Sequence, residues 1–257
     1  MLKQKVLDIA HRGASGIKPE NTRSSFLEAL RLKADVIEFD IHRTKDNEFV
    51  VIHDSSVNRT SNGAGKVTTL TLQQLKELNF GTNKHSETIL TFPEALNLIV
   101  NRCNLIVELK GSIKGYEKQV LQEIEKAKNK KFIWIHSSHL PILKRIRELN
   151  PSIKLGYIII FSYFHDILLP YYNRIIKKYK LSFFAVDELF GNKIFVKSFI
   201  KELQNRNVEV YVWTVNDFST MHQFINWGVN GIISNYPGLL KTAIKESIQD
   251  EPKVIVS

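Results

Sequence analysis

With one cysteine, Cys103, in 257 residues, the chain has no internal disulfide framework and no cysteine-rich metal site. No stretch approaches the ~20 apolar residues of a membrane-spanning helix. The first apolar run, residues 6–10, leads straight into a polar motif and lacks the apolar core and cleavage site of a signal peptide. The sequence therefore reads as cytoplasmic, without stable membrane insertion. Zinc-knuckle spacing, RNA-recognition signatures and long basic blocks are also missing, so nucleic acid is not an expected partner despite a net charge of +10. That surplus fits anionic lipid headgroups, a phosphorylated substrate or a lysine-rich solvated surface. The sequence has no low-complexity tract, no repeat beyond its alternating elements and no signature of oligomeric state.

What is present is a rhythm. Short apolar or β-branched runs fall at 6–10, 36–41, 105–109, 132–135, 155–160, 183–186, 208–215 and 231–234. Between them lie segments of helical period at 24–32, 92–100, 116–127, 141–149, 195–205 and 219–227. Strand alternating with helix predicts βαβ units and a parallel sheet. Eight runs fit a closed TIM (β/α)8 barrel in a single domain, 1–257. A doubly wound open sheet is the alternative, weakened because no glycine-rich dinucleotide fingerprint follows any strand. Residues 55–91 are polar and turn-rich, and read as a small insertion after the second strand. Residues 246–257 read as a frayed tail.

Barrel enzymes gather their catalytic groups at the C-terminal ends of strands. Here the first run ends in His11-Arg12-Gly13. The second carries Glu38 and Asp40, its extension at 49–52 ends in His53-Asp54, and the third ends in Glu108 and Lys110. Side chains alternate along a strand, so Val36, Glu38, Asp40 and His42 share one face, with Ile37, Phe39 and Ile41 on the other. Glu38 and Asp40 should enter the barrel mouth while the apolar face meets the outer helices. The same alternation puts Glu108 inside, with Lys110. Three converging carboxylates repel unless a cation sits between them. Oxygen-only ligands favour Mg²⁺ or Ca²⁺, with Mn²⁺ also compatible. The competing reading of any one carboxylate is an ion pair with lysine or arginine.

His11 and His53 close strands beside this cluster and can serve as general acid and base. His85, His136, His139, His165 and His222 default to structural roles. Arg12 and Lys110 suit the non-bridging oxygens of a phosphate.

Eight motifs then appear in register: His11-Arg12-Gly13, Pro19-Glu20-Asn21-Thr22, Glu38-Phe39-Asp40, His53-Asp54, Arg59-Thr60, Glu108-Leu109-Lys110, Trp213-Thr214-Val215-Asn216 and the run from Gly231 to Pro237. Together they resemble the glycerophosphodiester phosphodiesterase family over nearly the whole chain. The resemblance implies a TIM barrel and divalent-metal-dependent hydrolysis of a small-molecule glycerophosphodiester to sn-glycerol 3-phosphate and an alcohol. It implies Glu38, Asp40 and Glu108 as metal ligands, and His11 and His53 as acid and base. Arg12 and Lys110 become phosphate contacts, and Trp213 an aromatic wall. Asn21 or Thr22 should cap the following helix, and Asn21 can also reach the site. There are departures: Asp46-Asn47 stands in place of Asp-Gly, Ser137-Ser138-His139 in place of Ser-Phe, and residues 161–179 have no counterpart. Lysophospholipase D or phospholipase C-like action on a lipid phosphodiester remains the rival, with 161–172 and Phe190 as an apolar track or simply as core. A phosphate-binding protein without catalysis is the remote alternative.

Overall fold

The computed structural model describes residues 5–111, 115–159, 165–188 and 193–249. Nine strands form one sheet: β1 (Leu7–His11), β2 (Val36–Arg43), β3 (Phe49–Val51), β4 (Asn104–Leu109), β5 (Ile133–Ser137), β6 (Leu155–Ile159), β7 (Phe183–Asp187), β8 (Glu209–Trp213) and β9 (Gly231–Ser234). Eight of them, all but β3, pair in parallel. Since β1 pairs with both β2 and β9, the sheet closes on itself as a TIM barrel, which excludes the open doubly wound sheet. The short β3 is antiparallel to the mouth end of β2, with Ile41 opposite Val51.

The helices are α1 (Arg23–Arg31), α2 (Leu72–Lys76), α3 (Phe92–Ile99), α4 (Tyr116–Lys126), α5 (Leu140–Leu149), α6 (His165–Tyr179), α7 (Lys193–Gln204), α8 (Phe218–Asn226) and α9 (Pro237–Gln249). Residues 246–249, expected in the tail, belong to α9, and residues 250–257 lie outside the described part. The unmatched segment contributes α6, which carries Pro170 internally. Residues 161–164 and Phe190 of the anticipated apolar track lie outside the described residues. No helix among the described residues is long and apolar enough to cross a membrane.

Strand alternation builds two cores. Ile37, Phe39, Ile41, Leu105, Val107 and Leu109 face outward and pack with helix residues such as Phe26 and Phe92. Ile9, Val36, Ile106, Ile158, Phe183 and Tyr211 fill the barrel itself. The lower end is plugged by aromatics, with the Lys154 ammonium 3.7 Å from the Trp134 ring centroid and bonded to Glu209 and the Tyr211 hydroxyl. Gly156 makes room for this plug, because a Cβ there would lie 2.1 Å from the Phe183 ring. The insertion has an apolar core of its own, in which Val57, Val67, Leu75, Phe80 and Ile89 pack with Val50 and Ile52.

Candidate active site

The β1–α1 connection turns sharply as it leaves the barrel. Arg12 (φ +55°), Gly13 (φ +80°) and Asn21 (φ +57°) all adopt left-handed backbone. Gly13 is required there twice over, because a Cβ would also strike the Ser25 backbone at 2.7 Å. The Arg12 carbonyl accepts from Asn21 N and Ser25 Oγ, each at 3.0 Å, which pins the turn against the start of α1. Thr22 is the N-cap of α1, in a reciprocal capping box with Ser25. Asn21 is thereby free to reach the site, where its Nδ2 donates to Asp40 Oδ2 at 3.1 Å.

His11, His53, Arg12, Lys110, Glu38, Glu108 and Trp213, all singled out in the sequence, line one cavity of about 130 Å³ at the barrel mouth. Asp40 is not on its wall. It is 1% exposed, paired with Arg12 Nε at 3.3 Å and with Lys110 Nζ at 3.1 Å. Lys110 also reaches Glu108 Oε1 at 2.7 Å. The cavity has two sides. The charged groups come from β1, β2, the turn after β3, β4 and β5, while Ile158, Ala185, Trp213 and Ile233 come from β6 to β9. The indole Nε1–H of Trp213 is buried with no hydrogen-bond partner among the described residues.

Electrostatics separate the three carboxylates. Burial works to raise the Asp40 carboxyl, but Lys110 and Arg12 outweigh it and hold it far below the usual carboxylate range. Burial pushes Glu38 up to about 7, assisted by the Asp40 charge. Glu108 is raised to about 7 by the same two causes. Among the described residues Glu38 has only long contacts, to the Arg12 backbone N–H at 3.3 Å and to His136 Nε2 at 3.4 Å.

Both histidines are anchored through Nδ1. His11 Nδ1 donates to Asn235 Oδ1 at 2.6 Å, and His53 Nδ1 donates to Asp54 Oδ1 at 2.7 Å. An amide oxygen and a carboxylate only accept, so Nδ1 carries the proton in each ring and Nε2 keeps its lone pair. Burial lowers the pKa of both imidazoles. Asp54 is held by Arg59, which forks back to Glu20, and Glu20 pairs with Arg12. Alternating charges thus run from Lys110 through Asp40, Arg12, Glu20, Arg59 and Asp54 to His53. His42 Nε2 meets the His53 carbonyl at 2.9 Å, which fixes the backbone beneath the ring.

A histidine whose default is a structural role also faces this cavity. His136 on β5 is 3% exposed, lines the cavity and lies beside Glu38 and Glu108. One ligand atom from each of these three residues lies within 4.8 Å of the others, a buried Glu–Glu–His group able to hold a metal ion. The signal was present in the alternation of β5, where Ile133 and Ile135 face the helices and Trp134 and His136 face inward. The expected strand, 132–135, stopped one residue short of it, whereas β5 runs to Ser137. Ser137 itself bonds to the Leu109 carbonyl at 2.9 Å and receives the His139 N–H at 3.1 Å, so it organises the turn into α5. Asn47, in place of glycine, takes φ +70°, a left-handed turn position that asparagine tolerates.

The sequence profile of the glycerophosphoryl diester phosphodiesterase family matches residues 11–239. A glycerophosphodiester phosphodiesterase of Caldanaerobacter subterraneus subsp. tengcongensis is 30% identical over 250 residues, covering 94% of this chain and 99% of the relative. The structure of an Oleispira antarctica phosphodiesterase in complex with the product sn-glycerol-3-phosphate superposes with a TM-score of 0.79 at 26% identity, covering 92% of this chain and 96% of that one. A Thermotoga maritima glycerophosphodiester phosphodiesterase shares the fold, with a TM-score of 0.76 at 22% identity over 92% of this chain and 97% of its own. The chain belongs to the glycerophosphoryl diester phosphodiesterase family, a family of hydrolases.

Proposed function

We propose that this protein hydrolyses small glycerophosphodiesters to sn-glycerol 3-phosphate and an alcohol, with His11 and His53 as general acid and base and a divalent cation held by Glu38, Asp40 and Glu108. The observation that carries the proposal is the cavity itself. Two imidazoles anchored through Nδ1, two cations and a buried carboxylate pair face one small space. The Oleispira relative holds sn-glycerol-3-phosphate, which is the product expected here.

The donor set fits a divalent cation. Glu38 and Glu108 are buried and raised towards neutrality, and their mutual repulsion falls when a cation lies between them. A bound divalent ion would supply charge neutralisation at the phosphate and acidification of an oxygen nucleophile. The protein's own groups do the rest. Lys110 bridges Asp40 and Glu108, so cation binding by those carboxylates would free its ammonium for a phosphate oxygen. Arg12, anchored by Glu20 and Asp40, presents its guanidinium to a second oxygen. One histidine takes the proton of the attacking hydroxyl on its Nε2 lone pair, and the other, which must enter the step protonated at Nε2 as well as Nδ1, gives that Nε2 proton to the departing alkoxide. The side formed by Ile158, Ala185, Trp213 and Ile233 receives the less polar part of the diester, where the indole N–H can donate to a hydroxyl.

Product analysis tests the reaction. Glycerophosphocholine, glycerophosphoethanolamine and a lysophospholipid are incubated with the protein, and the products are resolved by ³¹P NMR. The proposal expects sn-glycerol 3-phosphate from the first two substrates. Phosphocholine with free glycerol would show cleavage of the other ester bond and overturn it. Faster turnover of the lysophospholipid would move the assignment to the lysophospholipase D reading.

A further inference from the structure

The nitrogen at the carboxylate cluster is unusual enough to carry a claim about the metal. Strand register sets His136 directly across from Glu108, on the inward face. A histidine buried in a core normally satisfies both ring nitrogens. Here Nδ1 is buried with no partner among the described residues, and Nε2 has only the 3.4 Å approach to Glu38. Both faces of the problem point the same way: an imidazole without adequate hydrogen bonds sits beside two buried carboxylates, of which Glu108 has Lys110 and Glu38 has only long contacts among the described residues. Its neighbour on the barrel side is the Phe183 ring, at 6.1 Å between centroids, which offers nothing polar.

We infer that His136 is a nitrogen ligand of the divalent ion, and that it turns the site's preference towards ions that accept imidazole, Zn²⁺ most and Mn²⁺ less, and away from Ca²⁺. The inference rests on the proposed reading of Glu38, Asp40 and Glu108 as cation ligands and deepens it. Ca²⁺ and Mg²⁺ seek oxygen shells, whereas imidazole raises affinity for first-row transition ions and zinc. The expectation of an oxygen-only set, drawn from the carboxylates alone, changes once β5 places a nitrogen among them. Removing the imidazole should therefore cost Zn²⁺ affinity by at least ~10-fold, Mn²⁺ affinity by less, and leave Ca²⁺ affinity nearly unchanged.

The test reads binding rather than turnover. Metal-free protein is titrated with Zn²⁺, with Mn²⁺ and with Ca²⁺ by calorimetry, for the wild type, His136→Gln and Glu108→Gln. The Mn²⁺-loaded wild type is then examined by pulsed EPR. The inference expects tighter Mn²⁺ than Ca²⁺ binding and ¹⁴N modulation from a coordinated imidazole. That modulation should be lost in His136→Gln and converted to a ¹⁵N pattern in protein made with ¹⁵N-histidine. The isotope arm needs no substitution, so a wild type without histidine coupling overturns the inference even if His136→Gln fails to fold. Unchanged modulation in a folded His136→Gln, pointing instead to His11 or His53, overturns it equally. If Glu108→Gln abolishes binding while nitrogen coupling is absent, the inference fails and the carboxylate site stands. If Glu108→Gln leaves Mn²⁺ affinity intact, the carboxylate reading fails with it.

Discussion

Arg12 holds a left-handed backbone that costs a non-glycine residue on the order of 1–3 kcal/mol. Its carbonyl is gripped by Asn21 and Ser25, and its guanidinium by Glu20, with Asp40 as an ion-pair partner. Strain of this kind is kept where a side chain must be aimed. The histidines follow the same logic at lower cost, each ring oriented by a single Nδ1 hydrogen bond. His11→Ala and His53→Ala should each lower kcat by ~10²–10⁴. The double variant should lose less than the product, because the two groups act on one displacement. A substrate with a good leaving group should restore only the variant lacking the acid. Rescue of both or of neither in steady-state assays would count against the pairing. Asn235 touches His11 and not the cavity wall, so Asn235→Ala should act through orientation. Loss of that bond, about 1–3 kcal/mol, predicts a fall of ~5- to 150-fold in kcat with little change in KM. A rise in KM alone would make Asn235 a binding residue instead.

At the scale of elements, alternation made most of the site legible. Glu38, Asp40 and Glu108 could be assigned to the inner face because Ile37, Phe39, Ile41, Leu105 and Val107 had to face the helices. What the sequence left obscure depends on contacts distant along the chain. Asp40's double pairing with Arg12 and Lys110 arises where β2 meets the turns that leave β1 and β4, and no local pattern announces it. The apolar run ends at Ile135, short of His136, whereas β5 continues through polar residues to Ser137 and carries that histidine to the cavity. The insertion looked like polar loop, yet its scattered Val57, Val67, Leu75, Phe80 and Ile89 converge with β3 to form a core. Its Arg59 then braces Asp54 behind His53. The opposite end of β1 provides a test of stability. Asp8 is 1% exposed, neither carboxyl oxygen has a hydrogen-bond partner among the described residues, and burial pushes its pKa up to about 8. The folded state thus keeps this proton after the unfolded chain has released it. Its contribution is fully present below pH ~4 and is lost as pH rises to about 8. Asp8→Asn should therefore raise Tm at pH 8 by several degrees, at ~2–4 °C per kcal/mol for a chain of this size, and have little effect near pH 4. A Tm difference independent of pH would show that the acid is not protonated in the fold.

For the whole molecule, the +10 net charge raises the question of whether long-range attraction or local contact brings in the substrate. A phosphodiester carries one negative charge, and screening acts over ~8 Å at physiological salt. Wild-type kcat/KM should consequently fall only a few-fold across a salt series. Arg12→Ala at fixed salt should cost far more, because a half-buried, charge-assisted contact is removed. Collapse of wild-type activity with salt, alongside near-normal Arg12→Ala, would shift the role to the surface field and favour a membrane-surface substrate.

The central claim is that the buried carboxylates at the barrel mouth make this cavity a metal-assisted phosphodiesterase site. It is tested most directly by the rate of sn-glycerol 3-phosphate release from glycerophosphocholine by one preparation. The rate is taken as purified, after exhaustive chelation and after divalent ions are restored, with Glu108→Gln measured in parallel. Chelation should abolish the rate, restored metal should recover it, and Glu108→Gln should stay inactive under every condition while melting close to the wild type. Full activity in excess chelator, or a Glu108→Gln variant as active as the wild type, would contradict the account.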